Sequence, residues 1–292
     1  MKADRVQGTS QRSSFGRRAV FLAVAALSVF LSAGYLLVEI AAGSIALPRN
    51  ALWEVVHNVC VPGQLQHGDP MPCLKVDVDE GIDRGFAILR DPRGGTQFLL
   101  IPTVRISGIE SPIVRERNAT NYFSIAWESR KNLNEALRRD LPRDDVGMAI
   151  NSIVSRSQDQ LHIHFSCLRP EVFETLRAHE KAIGGHWAPF RAELYGQHYM
   201  AMWVPGEHLN SYNPFRLLAE GLPDAVPNMA NRTLVVVGFT RSDGTPGFVL
   251  LADQVNAPKG DLANGEELLD HSCQIAAARN GHATGPESYR TK

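Results

Sequence analysis

No surplus of either charge marks this chain: 30 lysines and arginines stand against 31 aspartates and glutamates in 292 residues. A surface that neutralises a phosphate backbone needs clustered bases, so nucleic acid is not expected as a partner. Long apolar runs are nearly absent as well. Ala19 to Val38 goes twenty residues without a charge, and nothing else is long or apolar enough to span a bilayer. Cysteine is scarce, four in all, and no Cys-x-x-Cys spacing speaks for zinc. What remains is ordinary: 44% hydrophobic and 21% charged residues suit a globular protein with a sizeable core.

The apolar run is placed as a membrane anchor would be. As a helix it covers the hydrocarbon core of a bilayer, about 30 Å. Lys2, Arg5, Arg12, Arg17 and Arg18 precede it against the single early acid Asp4. That bias predicts a cytoplasmic tail over 1–18, an uncleaved transmembrane helix over 19–38, and everything after Glu39 outside the cytoplasm. A cleaved signal peptide is the competing reading, although its apolar core is shorter, about 7–15 residues. Cys60, Cys73, Cys167 and Cys273 all follow the run, and an even count in an exported domain suggests two disulfides. Cys60 and Cys73 frame a Pro/Gly-rich stretch and form the natural local pair. Cys167 and Cys273 would then tie distant segments together.

Residues 39–50 read as an external tether and Ala51–Asn58 as a short helix. Phe86–Arg90 and Phe98–Pro102 are apolar runs around DPRGG, the pattern of a β-hairpin. Thr103–Pro112 connects to an amphipathic helix over Ala119 to about Arg139, where Phe123, Ala126, Trp127, Leu133 and Leu137 recur at helical spacing. Strands are expected at Val146–Asn151 and Gln160–Leu168, then a helix over Glu171–Ile183. The second half offers strands at Tyr199–Val204, Leu234–Phe239 and Phe248–Leu251 and a helical piece near Phe215–Glu220. Residues 51–276 thus form an α+β domain, an antiparallel sheet with flanking helices. The polar residues 277–292 read as a disordered tail.

Chemistry concentrates in QLHIHFSCL. Strand alternation puts Gln160, His162, His164 and Ser166 on one face and Leu161, Ile163, Phe165 and Cys167 on the other. A polar face within a sheet is costly unless it is solvated or lines a ligand cavity. The plain alternative is a solvated face with two chance histidines. A metal site is another, but it lacks a close-spaced third ligand. A two-motif His-x-Ser/Thr phosphodiesterase would pair His164–Ser166 with His282–Thr284 in the polar tail. A non-enzymatic nucleotide- or lipid-binding module is also open.

The strand resembles that of the histidine-triad nucleotide hydrolases and transferases, which carry alternating histidines after a Gly-Gln pair and an upstream strand ending in Asn or Gln. Asn151, Ser157, Gln158, His162, His164 and Ser166 fall at the matching offsets. Ser166 stands for the third histidine, Ser157 for the glycine, and Thr103–Arg105 for the hairpin lysine-histidine. A second register takes Gln160, His162 and His164 as the triad and makes His162 central; only the first also aligns Asn151 and Gln158. Within that superfamily the chain is similar to the bacterial CDP-diacylglycerol pyrophosphatases in its N-terminal anchor, SRSQDQLHIHFSCLRPEV, NPFRLL and EELLDH-x-C.

The resemblance implies a HIT-like fold and hydrolysis of CDP-diacylglycerol to CMP and phosphatidate by water, with no cofactor and no metal. Other nucleotide pyrophosphates remain possible substrates of such a site. In the preferred register His164 is the nucleophile, forming a cytidylyl-histidine. His162 supports it and Ser166 donates to a phosphate oxygen. Asn151, Ser157, Gln158 and Asp159 supply further substrate contacts, with Arg156 and Lys131 as possible charge partners. The bilayer is the implied partner surface: the bacterial inner membrane, single-pass, with the domain on the periplasmic side.

Overall fold

The computed structural model describes residues 47–91 and 95–277. The expected tail over 1–18, the anchor over 19–38 and the C-terminal tail beyond residue 277 lie outside them. No helix among the described residues is long and apolar enough to cross a membrane.

The described residues from Arg49 on build one ten-stranded antiparallel sheet. Its strands are β1 (Lys75–Asp77), β2 (Phe86–Arg90), β3 (Phe98–Pro102), β4 (Val146–Ile150), β5 (Ile163–Leu168), β6 (Ala188–Leu194), β7 (Gln197–Pro205), β8 (Arg232–Thr240), β9 (Pro246–Gln254) and β10 (Leu269–Asp270). The order is β1-β2-β3-β5-β4-β8-β9-β7-β6, with β10 paired to the end of β5. The α+β antiparallel architecture is therefore as expected.

The order contains a repeat that no local residue pattern displays. The path β2-β3-β5-β4 is matched by β6-β7-β9-β8, and the two meet where β4 pairs with β8. Each half is a hairpin, a helical segment and two more strands. His164 pairs with Ala149, Ala149 with Val235 across the junction, and Val235 with Leu251. Leu251 thus lies in the same cross-strand row as His164, and it is fully buried.

Both faces of the sheet are covered. On one, α3 (Tyr122–Glu128) and α6 (Pro214–Gly221) supply Phe123, Trp127, Phe215 and Leu218 to a core shared with Phe98, Met148, Phe165, Val236 and Leu250. On the other, α5 (Pro170–Ala178) sets Val172 and Leu176 over Val235 and Leu251. An N-terminal helix sets Leu52 and Val56 over Leu99 and Ile101. That helix runs from α1 (Ala51–Val55) through a π-helical turn (Val56–Cys60) into α2 (Val61–His67), well past the expected end at Asn58. Pro62 fits the first turn of α2 and Gly68, at φ 66°, ends it in the left-handed region. The stretch between Cys60 and Cys73 is thus half helix rather than loop. Both expected disulfides are formed, Cys60–Cys73 and Cys167–Cys273.

Three further departures have local causes. The helix expected over 119–139 is broken into α3 and α4 (Lys131–Leu137). At the break Arg130 Nη1 donates to the Trp127 carbonyl at 2.8 Å and Asn132 Nδ2 to that of Ser129 at 2.7 Å, so side chains take acceptors the helix would have used. Strand β5 begins at Ile163, not Gln160. The Gln160 amide donates to the carbonyls of Pro102 and Val104, both at 2.9 Å, and accepts from Ile106 N at 3.2 Å, replacing a regular ladder there. Strand β6, not expected at all, is an edge strand whose register shifts between Pro189 and Glu193. Proline and charge on an edge erase the alternation by which a strand is read.

Candidate active site

His162 and His164 sit at the start of β5, 8% and 2% exposed, with ring centroids 4.9 Å apart and planes near perpendicular. Their partners differ in kind. His162 Nδ1 lies 2.6 Å from the Gln160 carbonyl oxygen. A carbonyl only accepts, so Nδ1 carries the proton and, in the neutral ring, Nε2 carries the lone pair. That Nε2 has no hydrogen-bond partner among the described residues. Burial lowers the His162 pKa below its ordinary value, against the opposing pull of the Gln160 carbonyl and the Glu266 charge. The ring is therefore neutral at neutral pH.

His164 is held on both sides. Its Nδ1 meets the Gln97 amide nitrogen and its Nε2 lies 3.4 Å from Glu266 Oε2. Gln97, fully buried just before β3, also donates from Nε2 to Glu266 Oε1 at 2.8 Å. Asn151, at the end of β4, closes the set: its Nδ2 donates to Glu266 Oε2 at 3.1 Å, and its Oδ1 accepts from Glu266 N at 3.1 Å. His271 Nε2 stands 3.7 Å from Glu266 Oε1. Asp91, His164 and Glu266 present ligand atoms all within 4.8 Å of one another, making them the residues that could hold a metal ion among those described. Beside them Glu266, Glu267, Asp270 and His271 line an open cleft of about 410 Å³ with Arg169 and Asn264.

The expected site residues thus separate into two groups. The fold brings together His162, His164 and Asn151. Ser166 is fully buried, and its single proton is directed to the carbonyls of Thr96 at 3.0 Å and Asp270 at 3.3 Å, so it is engaged in pinning β5 rather than facing the cleft. Gln158 accepts from Leu52 N at 2.8 Å and donates to the Ser157 carbonyl at 3.1 Å. Asp159 receives Arg49 on both oxygens at 2.7 Å and Arg156 at 3.2 Å. The Arg49 hydrogen bonds hold the Asp159 carboxyl down at about 2. Arg156 is in turn clamped by Glu110 at 2.7 and 2.9 Å. The turn at 156–159, with Ser157 exposed on it, is an ion-pair clasp for the start of the N-terminal helix. Gln158 and Asp159 are engaged within this clasp.

Gln97 and Glu266 were missed in the sequence. Gln97 sits just before the second strand of the expected hairpin, where no pattern marks it, and Glu266 lies 102 positions from His164. The acidic EELLDH stretch was visible, but nothing in it said which carboxylate turns inward.

The family model described as CDP-diacylglycerol pyrophosphatase matches residues 47–277. A protein named CDP-diacylglycerol pyrophosphatase from Yersinia pestis is 38% identical over 244 residues, covering 82% of this chain and 92% of that protein. The family-model match runs through β3, β5 and the segment that delivers Glu266, and on the extent of both matches the chain belongs to the CDP-diacylglycerol pyrophosphatase family.

Proposed function

We propose that this protein hydrolyses CDP-diacylglycerol to CMP and phosphatidate, as a histidine-triad-like hydrolase with His162 as its nucleophile. Family membership over nearly the whole described chain supports the substrate. The His162 hydrogen bond supports the mechanism: with Nδ1–H given to the Gln160 carbonyl, the Nε2 lone pair is unengaged and faces no partner among the described residues. In this reading Nε2 attacks the phosphorus that bears cytidine. The bond from that phosphorus to the bridging oxygen breaks, and phosphatidate leaves with the electron pair. Water then attacks the cytidylyl-histidine, releasing CMP and restoring the imidazole. Splitting one displacement in two is what a covalent nucleophile achieves. His164, with partners at both ring nitrogens, suits support rather than attack.

A phosphate monoester is a good leaving group, and both Glu266 oxygens already accept hydrogen bonds. Hydrolysis is therefore expected to survive exhaustive chelation, with CMP and phosphatidate as the products seen by mass spectrometry. Loss of activity with EDTA, restored by one divalent ion, would favour a metal on Asp91, His164 and Glu266.

The location follows from the substrate. A diacylglycerol nucleotide stays in the bilayer, and an enzyme anchored there meets it at raised effective concentration. With five bases ahead of the apolar run over 19–38, a reporter fused after Lys292 should be active only on the periplasmic side. A reporter active in the cytoplasm would overturn the orientation.

A further inference from the structure

We infer that Glu266 is a positioning residue of this site, fixing the orientation and tautomer of His164 and through it the ring of His162; the catalytic part of this inference rests on the function proposed above.

The residue is delivered by a strap that crosses the sheet after the second half is complete. The strap comprises a 3₁₀ turn (Gly265–Leu268) and β10. Its backbone is fixed from several sides. Leu269 and Asp270 pair with Leu168 and Cys167, and Cys273 is bonded to Cys167. The His271 carbonyl accepts from Thr96 N at 2.9 Å and Thr96 Oγ1 at 3.0 Å. The turn lies so close to the sheet that a Cβ on Gly265 would come within 2.3 Å of Thr233 Oγ1 and 2.6 Å of Val235 Cγ2. No larger residue fits there unless the Thr233 and Val235 side chains shift. A carboxylate whose side chain is only 15% exposed is thereby held against three polar groups from three other elements.

The chemistry of those contacts fixes protons. Asn151 grips Glu266 twice, at the backbone N–H and at Oε2, so the carboxylate cannot rotate freely. Its other oxygen faces the Gln97 amide, and only the NH₂ end of an amide is tolerated against a carboxylate. With Nε2 so directed, Gln97 donates to His164 Nδ1, which must then be the acceptor nitrogen of a neutral ring. The His164 proton sits on Nε2, 3.4 Å from Glu266 Oε2. Glu266 therefore sets both ends of His164, one directly and one through Gln97. A ring so fixed packs edge-on against that of His162, with centroids 4.9 Å apart.

The test uses the full-length protein with CDP-diacylglycerol in mixed micelles, and ¹⁵N-histidine NMR of the same samples without substrate. Glu266→Gln keeps the shape but puts an amide opposite Gln97. It is expected to lower kcat about 10²-fold, the scale for loss of one preorganised polar group, with KM nearly unchanged. Glu266→Asp, which keeps the charge, should recover at least about tenfold of that loss. Glu193→Gln, at an exposed carboxylate on the edge strand β6, should match the wild type. In the NMR spectra the wild-type His164 should show the neutral Nε2–H tautomer, and Glu266→Gln should lose that signature while both samples stay folded. The inference fails if Glu266→Gln keeps wild-type kcat, if activity falls only in proportion to unfolded protein, or if the His164 tautomer is the same in both. A wild type that does not hydrolyse CDP-diacylglycerol would sink the proposed function instead; the tautomer measurement would still decide the role of Glu266.

Discussion

His162→Ala is expected to reduce CDP-diacylglycerol turnover by roughly 10⁴-fold or more, the scale on which removal of a covalent nucleophile is felt. No acid-labile, base-stable cytidylyl adduct should be trapped by rapid quench. His164→Ala should instead lower turnover by about 10²-fold, as loss of a fixed supporting group does, and leave the adduct detectable on His162. The asymmetry comes from the two hydrogen-bond sets. Only His162 has one nitrogen committed to a carbonyl and the other unengaged; His164 has a partner on each side. Acidity supplies a second check. Burial holds the His162 pKa below its ordinary value, so the neutral, attacking form persists as pH falls below the ordinary histidine range. Single-turnover adduct formation should stay constant through neutral pH and decline only in acid. An adduct that maps to His164, or persists in His162→Ala, would reverse the assignment.

The sequence already held the strand, both histidines, Asn151 and the disulfide pairing, because each depends on local pattern or on cysteine count. It could not hold the choice between His162 and His164. Counting offsets from Asn151 and Gln158 favours His164, but Gln158 is engaged with Leu52 N and so offers no support for the register. The choice turns on which ring meets a backbone carbonyl two residues away and which meets Gln97 and Glu266, 67 and 102 positions away. Ser166 was misread for a related reason. Alternation correctly set it on the face of His164, but that face is capped at Ser166 by Thr96 and Asp270. The second half was opaque because its likeness to the first lies in strand order, β6-β7-β9-β8 against β2-β3-β5-β4, which no local residue pattern displays.

Opening the Cys167–Cys273 bond should be the most damaging change outside the histidines. It closes a loop of sequence separation 106, against 13 for Cys60–Cys73. In the chain-entropy account a loop of that length stabilises by about 4–5 kcal/mol, and the shorter one by about 3. Measured against a typical total of roughly 5–15 kcal/mol, either loss is felt, and the longer loop costs more. The two bonds differ further in what they hold. Cys60–Cys73 fastens the N-terminal helix to the loop before β1. Cys273 instead anchors the strap seven residues beyond Glu266. Cys273→Ser should therefore shift the denaturation midpoint down and lower kcat beyond what the folded fraction explains, whereas Cys60→Ser should cost stability with kcat per folded molecule nearly intact. Cys167→Ser combined with Cys273→Ser should cost little more than either alone, since both remove one bond. Denaturant titration and turnover on the wild type and these four variants decide it. If Cys273→Ser keeps the wild-type kcat per folded molecule, β10 pairing and the Thr96 contacts suffice to seat Glu266, and the disulfide serves stability alone.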